Sequence, residues 1–452
     1  MKLDKSIKHI HLIAIGGIGM SAIARYLYKN NYKVTGSDRD INENTELISK
    51  LGIKIQHGHD INLIKDADLV IYSAAINEEN PEMKYARKNN IPLYSRSEFM
   101  GKITEDFGTS VAVSGVHGKT TVTSMIATMM KSSKFDPTIF VGAYVPELDG
   151  NCYFGKDDII INETCEYKNS YHDFDVNIAT LNNIELDHTD FYDDIESIKK
   201  SFRTFIEKMR PNSTVIMNCD DKNVVDVTDG LNINKIGFAI ENDATYTARN
   251  IRVNEDKFSI FDLYKNGKFI YLITLSIPGR YNIYNALSAI SVVDTLGCLN
   301  EDTIKALKDF KGANRRFELK QKINSTLYYD DYAHHPTAIK ELIKAIKEFY
   351  PTKKLHMAFQ PHTYSRTHSL FESFAESFKG VDKLYILDIY AAREENLSGV
   401  SSKALVKKIN TISNNATYIE DFQTLRNIAK NLDEDDIFFT VGAGDIYKIY
   451  PL

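Results

Sequence analysis

Lys119 and Thr120 follow Gly118 in the stretch VAVSGVHGKTTVTSM, Val111 to Met125, between an apolar run and an amphipathic one. A Gly-Lys-Thr triplet opening a helix is half of a phosphate-binding loop, whose usual form is G-x-x-x-x-G-K-[ST]. Backbone N–H groups at a helix start present partial positive charge to an anion. Lys119 adds a full charge for the β- and γ-phosphates of a nucleotide, and Thr120 a hydroxyl for Mg²⁺. The first glycine is missing: its place falls on Val113, and the nearest glycine is Gly115. Taken alone, the stretch is a nucleotide loop of a different kind, a broken one, or a plain strand-to-helix turn with an exposed lysine. An exposed loop lysine is expected to contribute little to stability.

Other reactive side chains fall at the ends of apolar runs. Glu163 closes DDIIINE, and His188, with Asp187 beside it, follows VNIATLNNI. If these runs are neighbouring parallel strands, both tips reach the sheet edge that carries the loop. Carboxylate and imidazole suit Mg²⁺ accompanying ATP, with Thr120 contributing to a first ion. The stretch YYDDYAHHPTAIKEL brings Asp330, Asp331, His334 and His335, and FQPHTYSRTHSL brings His362 and Arg366. Arginine offers a planar fork for a carboxylate or phosphate; an ordinary loop is the competing reading for each cluster. Near the start, AIGGIGMSAIA approaches the dinucleotide fingerprint G-x-G-x-x-G, but Ala14 stands where a glycine is needed. Asp38 follows at the next strand end, as in that fingerprint. The incomplete form is weak support for NAD and good support for a helix start able to hold a pyrophosphate. HGHD, from His57 to Asp60, reads as a strand-to-helix loop, and DEDD, from Asp433 to Asp436, as a solvated acidic loop.

The elements that would position these groups alternate between strand-like and helical runs. HIHLIAIG, YKVTGSD, ADLVIYSAAI and IPLYS read as strands of one unit, and GTSVAVSGVHGKTT opens a second. A third begins near NRRFELK, with four strand-like runs separated by helical ones. Such alternation predicts parallel sheets wound with helices, which bind ligands at strand ends. The 452 residues exceed one ordinary core,. A hydrophobic fraction of 43% and a charged fraction of 26% are those of a globular protein,. A net charge of −6 gives no basic field for nucleic acid or anionic lipid,. No apolar run is long enough to span a bilayer, and the N-terminus lacks a signal peptide's pattern, so a cytoplasmic protein is expected. The 4 cysteines show no metal or disulfide spacing,.

Taken together and in this order, the stretches resemble the Mur ligase family, over essentially the whole chain, and most closely its alanine-adding branch. The family's phosphate loop reads G-x-H-G-K-T-[TS], matched here by Gly115, Val116, His117, Gly118, Lys119, Thr120 and Thr121. Gly16-Gly17-Ile18-Gly19-Met20-Ser21 is similar to the branch signature G-G-x-G-M-S. NIELDHTDFY, IPGRYNIYNALSAI, NRRFE, DDYAHHPT and FQPHTYSRT resemble further family segments, the last two being the most specific to the branch. The resemblance implies an α/β chain of three domains. These are a Rossmann-like UDP-sugar-binding domain over residues 1–106, a central P-loop ATPase-like domain over 107–312, and a C-terminal doubly wound α/β domain over 313–452.

The implied reaction is ATP-dependent ligation of L-alanine to the lactyl carboxylate of UDP-N-acetylmuramate, through an acyl phosphate, in peptidoglycan precursor synthesis. ATP and Mg²⁺ are the implied cofactors, and the protein would be a monomer or homodimer without nucleic-acid or membrane partners. By the same resemblance the loop residues bind ATP with Asn285, Arg316 and Asp331, and Thr120, Glu163 and His188 hold the metal. Lys119, His334 and Arg366 would be catalytic. Tyr332, His334, His362 and Arg366 would form the alanine pocket. Gly16, Gly17, Gly19, Ser37, Asp38, Ser73 and Arg96 would face the uridine diphosphate end. Departures are Ala14, Tyr281 in place of a histidine beside the adenine, the ETCEY form of the segment at Glu163, and no arginine after Asn151. Competing functions are an oxidoreductase on the N-terminal unit, a non-catalytic ATP-binding regulator, and a ligase attaching a recycled peptide to the same sugar nucleotide. Ala14 and the phosphate loop disfavour the first, and Glu163, His188, His334 and Arg366 the second. The full-length protein is therefore expected to bind the uridine sugar nucleotide and not NADH; saturable NADH binding in a fluorescence titration, with none of the sugar nucleotide, would reverse this assignment.

Overall fold

The computed structural model describes residue 4 and residues 6–452, in three sheets flanked by helices. The first contains β1 (His9–Ile13), β2 (Lys33–Asp38), β3 (Lys54–His57), β4 (Leu69–Tyr72) and β5 (Leu93–Ser95), in the order β3-β2-β1-β4-β5. All its pairings are parallel. β1 is buried along its length, as its apolar run requires. Crossing from β1 to β2, the helix Ile18–Lys29 places its apolar face on the sheet and also packs Tyr26 against Phe140 and Phe154 of the second unit.

The second sheet has ten strands. They are β6 (Thr109–Ser114), β7 (Thr138–Val145), β8 (Gly150–Tyr153), β9 (Ile159–Glu163), β10 (Ile178–Leu181), β11 (Thr214–Asn218), β12 (Asn234–Ala239), β13 (Tyr246–Val253), β14 (Ser259–Lys265) and β15 (Lys268–Thr274). Their order is β15-β14-β13-β12-β11-β10-β6-β9-β7-β8. β6 lies between β9 and β10, parallel to both. The strands ending at Glu163 and Leu181 are therefore not neighbours, as the sequence predicts, but flank the strand that carries the phosphate loop. All three tips reach one edge. β13 to β15 form an antiparallel meander at the far side.

The third sheet runs β16 (Glu318–Ile323), β17 (Thr326–Asp331), β18 (Lys354–Phe359), β19 (Lys383–Ile386), β20 (Ala416–Tyr418) and β21 (Asp436–Val441), in the order β16-β17-β21-β18-β19-β20. β16 pairs antiparallel, the others parallel. Four of these strands coincide with the predicted apolar runs. β16 and β20 lie at the sheet edges, one largely polar and the other only 3 residues long, and neither carries an apolar run to betray it. Among the described residues no helix is long and apolar enough to cross a membrane.

One polar cluster lies inside the first unit. Glu82, on the helix Pro81–Lys88, is fully buried. Its carboxylate accepts from Ser37 Oγ at 2.6 Å and pairs with His11 Nε2 at 2.9 Å and His59 Nδ1 at 2.7 Å. His59 of HGHD is thus a partner of the core rather than a free loop residue. Glu82→Ala leaves His11 Nε2 buried without this acceptor, while Ser37 Oγ keeps His59 Nδ1 at 2.9 Å. At about 1–3 kcal/mol for such a group, urea unfolding of the variant is expected to show a loss on that scale.

Candidate active site

The phosphate loop follows β6 directly. Val113 is still in that strand, paired with Glu163 on one side and Thr180 on the other, so no glycine is needed there. The two glycines present are required. Gly115 has φ 132°, and a Cβ on it would lie 3.0 Å from Asn182 Cβ. Gly118 has φ 83°, and a Cβ there would meet Asn285 Oδ1 at 2.4 Å. Asn285 therefore packs on the loop, and its amide donates to Asn282 Oδ1 at 2.8 Å. Asn183 pins the loop from the tip of β10: its Oδ1 accepts from His117 N at 2.7 Å, and its amide donates to His117 O at 3.1 Å. Behind Gly118 the helix Lys119–Lys131 begins, its N–H groups facing the cleft.

Lys119 is not an exposed loop lysine. Its ammonium donates to Gly115 O at 2.6 Å, Val116 O at 3.2 Å and Glu166 Oε2 at 2.8 Å. Glu166 is buried and also faces His188 Nε2, at 3.3 Å. Burial opposes all three charges, yet the mutual attraction outweighs it. Glu166 is pushed down to about 2, mainly by Lys119 and then His188. His188 is pushed up to about 10 by Cys165, Glu166 and Asp187, and Lys119 is raised. Glu166 was missed in the sequence, although it stands in the ETCEY segment three residues after Glu163. Glu163 itself sits at the other side of the loop. Its carboxylate accepts from Thr120 Oγ1 at 2.9 Å and from Gly142 N at 2.7 Å.

The third unit reaches over this edge. Arg316 Nη2 approaches Thr120 Oγ1 at 3.5 Å, and Arg315 and Arg316 lie against the Tyr332 ring at 5.0 and 5.1 Å. Asp331, at the end of β17, accepts from Phe317 N and Ala333 N, both at 2.8 Å, and so holds the turns bearing Arg316 and His334. Arg366 Nε donates to Asp187 Oδ1 at 2.7 Å, an ion pair with both side chains almost fully buried. Arg366 Nη1 also donates to His362 Nδ1 at 3.3 Å. His334 Nδ1 lies 2.8 Å from the Tyr332 carbonyl, which assigns its proton to Nδ1 and leaves Nε2 as an acceptor,. Burial and then the nearby Arg366 charge hold His334 well below the usual imidazole range, and His362 at about 4. Both are neutral bases near pH 7. The cleft measures about 1030 Å³, and residues of all three units line it. Left-handed backbone clusters here: φ is 51° at His188, 61° at Arg315, 50° at Phe317 and 69° at Thr363. Such strain persists where surrounding contacts over-determine it.

The N-terminal loop is built differently. Gly16 N donates to Asp38 Oδ2 at 2.7 Å, and a Cβ on Gly16 would collide with Thr45, Asn42 and Asp38. Gly19 packs on the Arg96 side chain, and Gly17 caps the helix Ile18–Lys29. Ala14 adopts φ 63°, the left-handed region that glycine would occupy freely,. Ser73 is half-buried, its hydroxyl accepting from Ala75 N at 3.3 Å. The Ser37 hydroxyl donates to Glu82 and is fully buried. Tyr281 packs beside Gly279, near Asp331 and Arg316.

A phosphate loop, a second sheet reaching across it with arginines, and a glycine-rich helix start in the first unit define an ATP-handling ligase architecture. Comparison with known families agrees with this class. Residues 9–108 match the Mur ligase family catalytic domain, 113–293 the Mur ligase middle domain, and 315–444 the Mur ligase glutamate ligase domain. The chain belongs to the Mur ligase family. It is 44% identical over 443 residues to the UDP-N-acetylmuramate–L-alanine ligase of Clostridium acetobutylicum, covering 98% of this chain and 96% of that one. The crystal structure of the UDP-N-acetylmuramate–alanine ligase of Thermotoga maritima superposes with a TM-score of 0.83 at 28% identity, covering 98% and 97% of the two chains. A murein peptide ligase from Psychrobacter arcticus shares the fold at TM-score 0.77 and 21% identity, covering 98% and 97%.

Removing Lys119 therefore tests structure as well as chemistry. Breaking a buried ion pair by deleting one partner costs about 3–5 kcal/mol, because the other charge stays behind. Lys119→Ala is expected to lose turnover and to lose stability on that scale, offset in part by His188. Adding Glu166→Gln should restore most of the stability but no turnover; calorimetry beside a phosphate-release assay separates the two effects.

Proposed function

We propose that this protein joins L-alanine to the lactyl carboxylate of UDP-N-acetylmuramate at the expense of ATP. One arrangement carries the reading: the phosphate loop and His334, drawn from different sheets, line one cleft, with His362 beside His334 and Arg366 bonded to His362. Near full-length similarity to alanine ligases supports the choice of substrates.

A carboxylate is a poor acyl donor. Transfer of the γ-phosphoryl group to it gives an acyl phosphate and ADP; the amine of alanine then attacks the carbonyl, and phosphate leaves from a tetrahedral intermediate. Both steps concentrate negative charge, so their catalysis is largely electrostatic. Lys119, the N–H groups opening its helix, and Arg316 supply the positive field. His334 Nε2 takes the proton released by the attacking amine, and its neutrality suits it to that task,. Arg366, held by Asp187, offers its remaining N–H groups to the α-carboxylate of alanine,.

The oxygen donors Thr120 and Glu163, 2.9 Å apart, suit Mg²⁺,. Bound there, the ion would neutralise phosphate oxygens. His188, paired with Glu166 at 3.3 Å, would have to turn from that carboxylate to join them. At the other end, Gly16, Gly17 and Gly19 open the helix that would hold the diphosphate, with Arg96 beside it. ATP and a uridine nucleotide sugar as substrates support a cytoplasmic location.

Phosphate release should be measured with ATP, Mg²⁺ and UDP-N-acetylmuramate across free amino acids and peptides. L-alanine should be used best. One methylene is worth only about 1–3 kcal/mol of discrimination, so glycine and serine should be used roughly 10–200-fold less well. Efficient ligation of a tripeptide without that of L-alanine would assign the recycling reaction instead.

A further inference from the structure

His117, Glu185 and His335 form a cluster whose side chains take no step in the mechanism above. His117 lies in the phosphate loop, and Glu185 follows β10. His335 comes from the other unit and caps the helix Pro336–Phe349. We propose that these three side chains are ligands of a second, transition-metal site, of the zinc, cobalt or nickel type, formed where the C-terminal unit closes on the phosphate loop.

The spacing is that of a metal site. His117 Nε2 and His335 Nδ1 each lie 3.4 Å from the same Glu185 oxygen, Oε2. All candidate ligand atoms fall within 4.8 Å of one another. A tetrahedral ion with bonds of about 2.0–2.1 Å sets its ligand atoms roughly 3.3–3.4 Å apart. The two imidazole rings converge, with centroids 4.9 Å apart and planes tilted by 47°.

Hydrogen bonding prepares the ligands. His335 Nε2 lies 3.1 Å from the Leu186 carbonyl, so this nitrogen carries the proton and Nδ1 presents its lone pair to Glu185. A carbonyl behind a ligating histidine is the usual support for such a ligand. The Thr337 N–H reaches the same Nδ1 only at 3.3 Å. A lone pair facing a carboxylate oxygen is repulsive unless a cation lies between them. His117 is fixed from its backbone by Asn183.

The donor set decides the ion. Two imidazoles and one carboxylate favour zinc, cobalt or nickel over Mg²⁺, which prefers oxygen ligands. This separates the site from the Thr120–Glu163 pair. A second group, Cys165, Glu166 and His188, also has ligand spacing. Its Glu166 is already committed to Lys119 at 2.8 Å. Because the three proposed ligands come from two units, an ion binding them favours the closed arrangement and raises its stability.

The test uses the full-length protein, stripped of metal and held in excess Mg²⁺, titrated with Co²⁺ and followed by visible absorption. The expected result is saturable binding with the intense bands of tetrahedral cobalt, no thiolate-to-cobalt charge-transfer band, and a raised melting temperature. Glu185→Gln and His335→Ala should each weaken binding at least about tenfold, while Cys165→Ser leaves it unchanged. The Glu185 variant keeps shape and volume, so it decides the matter if His335→Ala does not fold. Weak octahedral bands, a thiolate band lost in Cys165→Ser, or full binding by Glu185→Gln would each overturn the proposal.

Discussion

The pairing of Arg366 with Asp187 is the contact on which the cleft depends. It joins the sheet of the C-terminal unit to the edge of the central sheet, at 2.7 Å and almost without water. Taking two charges out of water costs several kcal/mol for each. That cost is met only if the geometry is kept, so the pair fixes where the two units meet. Everything that the C-terminal unit contributes follows from that placement: Arg316 at Thr120, His334 over the cleft, His335 against Glu185. Burial, and then the same guanidinium, hold His334 and His362 neutral. A single cation thereby docks the units and reinforces the effect of burial on the bases beside it.

The central unit answers with carboxylates. Glu166 holds Lys119 and His188, Glu163 holds Thr120, and Glu185 faces two histidines. Each lies at or beyond the tip of β9 or β10, the two strands flanking β6. Parallel strands deliver their C-terminal ends to one edge, so three separate stretches of chain converge without any long loop. The phosphate loop is shaped by its neighbours as much as by its own residues: Asn182 and Asn285 fill the space that a side chain on Gly115 or Gly118 would need.

Much of this was legible in the sequence. The alternating runs revealed the buried strands, because burial on both faces favours mostly apolar residues, as in β10 and β21,. The phosphate loop was legible despite Val113, since Lys119 and Thr120 follow an apolar strand directly. Strand order was not: nothing local in DDIIINE or VNIATLNNI says that β6 separates them. Edge strands such as β16 were hidden by their polar composition. Among the side chains, Glu166 and Glu185 were overlooked because a glutamate in a polar stretch looks like a solvated one until its partners are placed. Lys119 was read as exposed for the same reason. Nor does the sequence show that the Ser37 hydroxyl is held by Glu82, on a distant helix.

The position of β6 has a consequence for the order of events during synthesis. The loop that follows it is tied by Asn183, which lies 66 residues later in the chain. Ribosomes add about 5–20 residues per second, so the anchor emerges roughly 3–13 s after His117. β9 and β10, which must flank β6, are made in the same interval. The emerging chain therefore carries its nucleotide-binding motif well before it has a nucleotide-binding shape. Competence for ATP arrives late, with the middle of the polypeptide, and a chain truncated before Asn183 would bear the motif without the pocket.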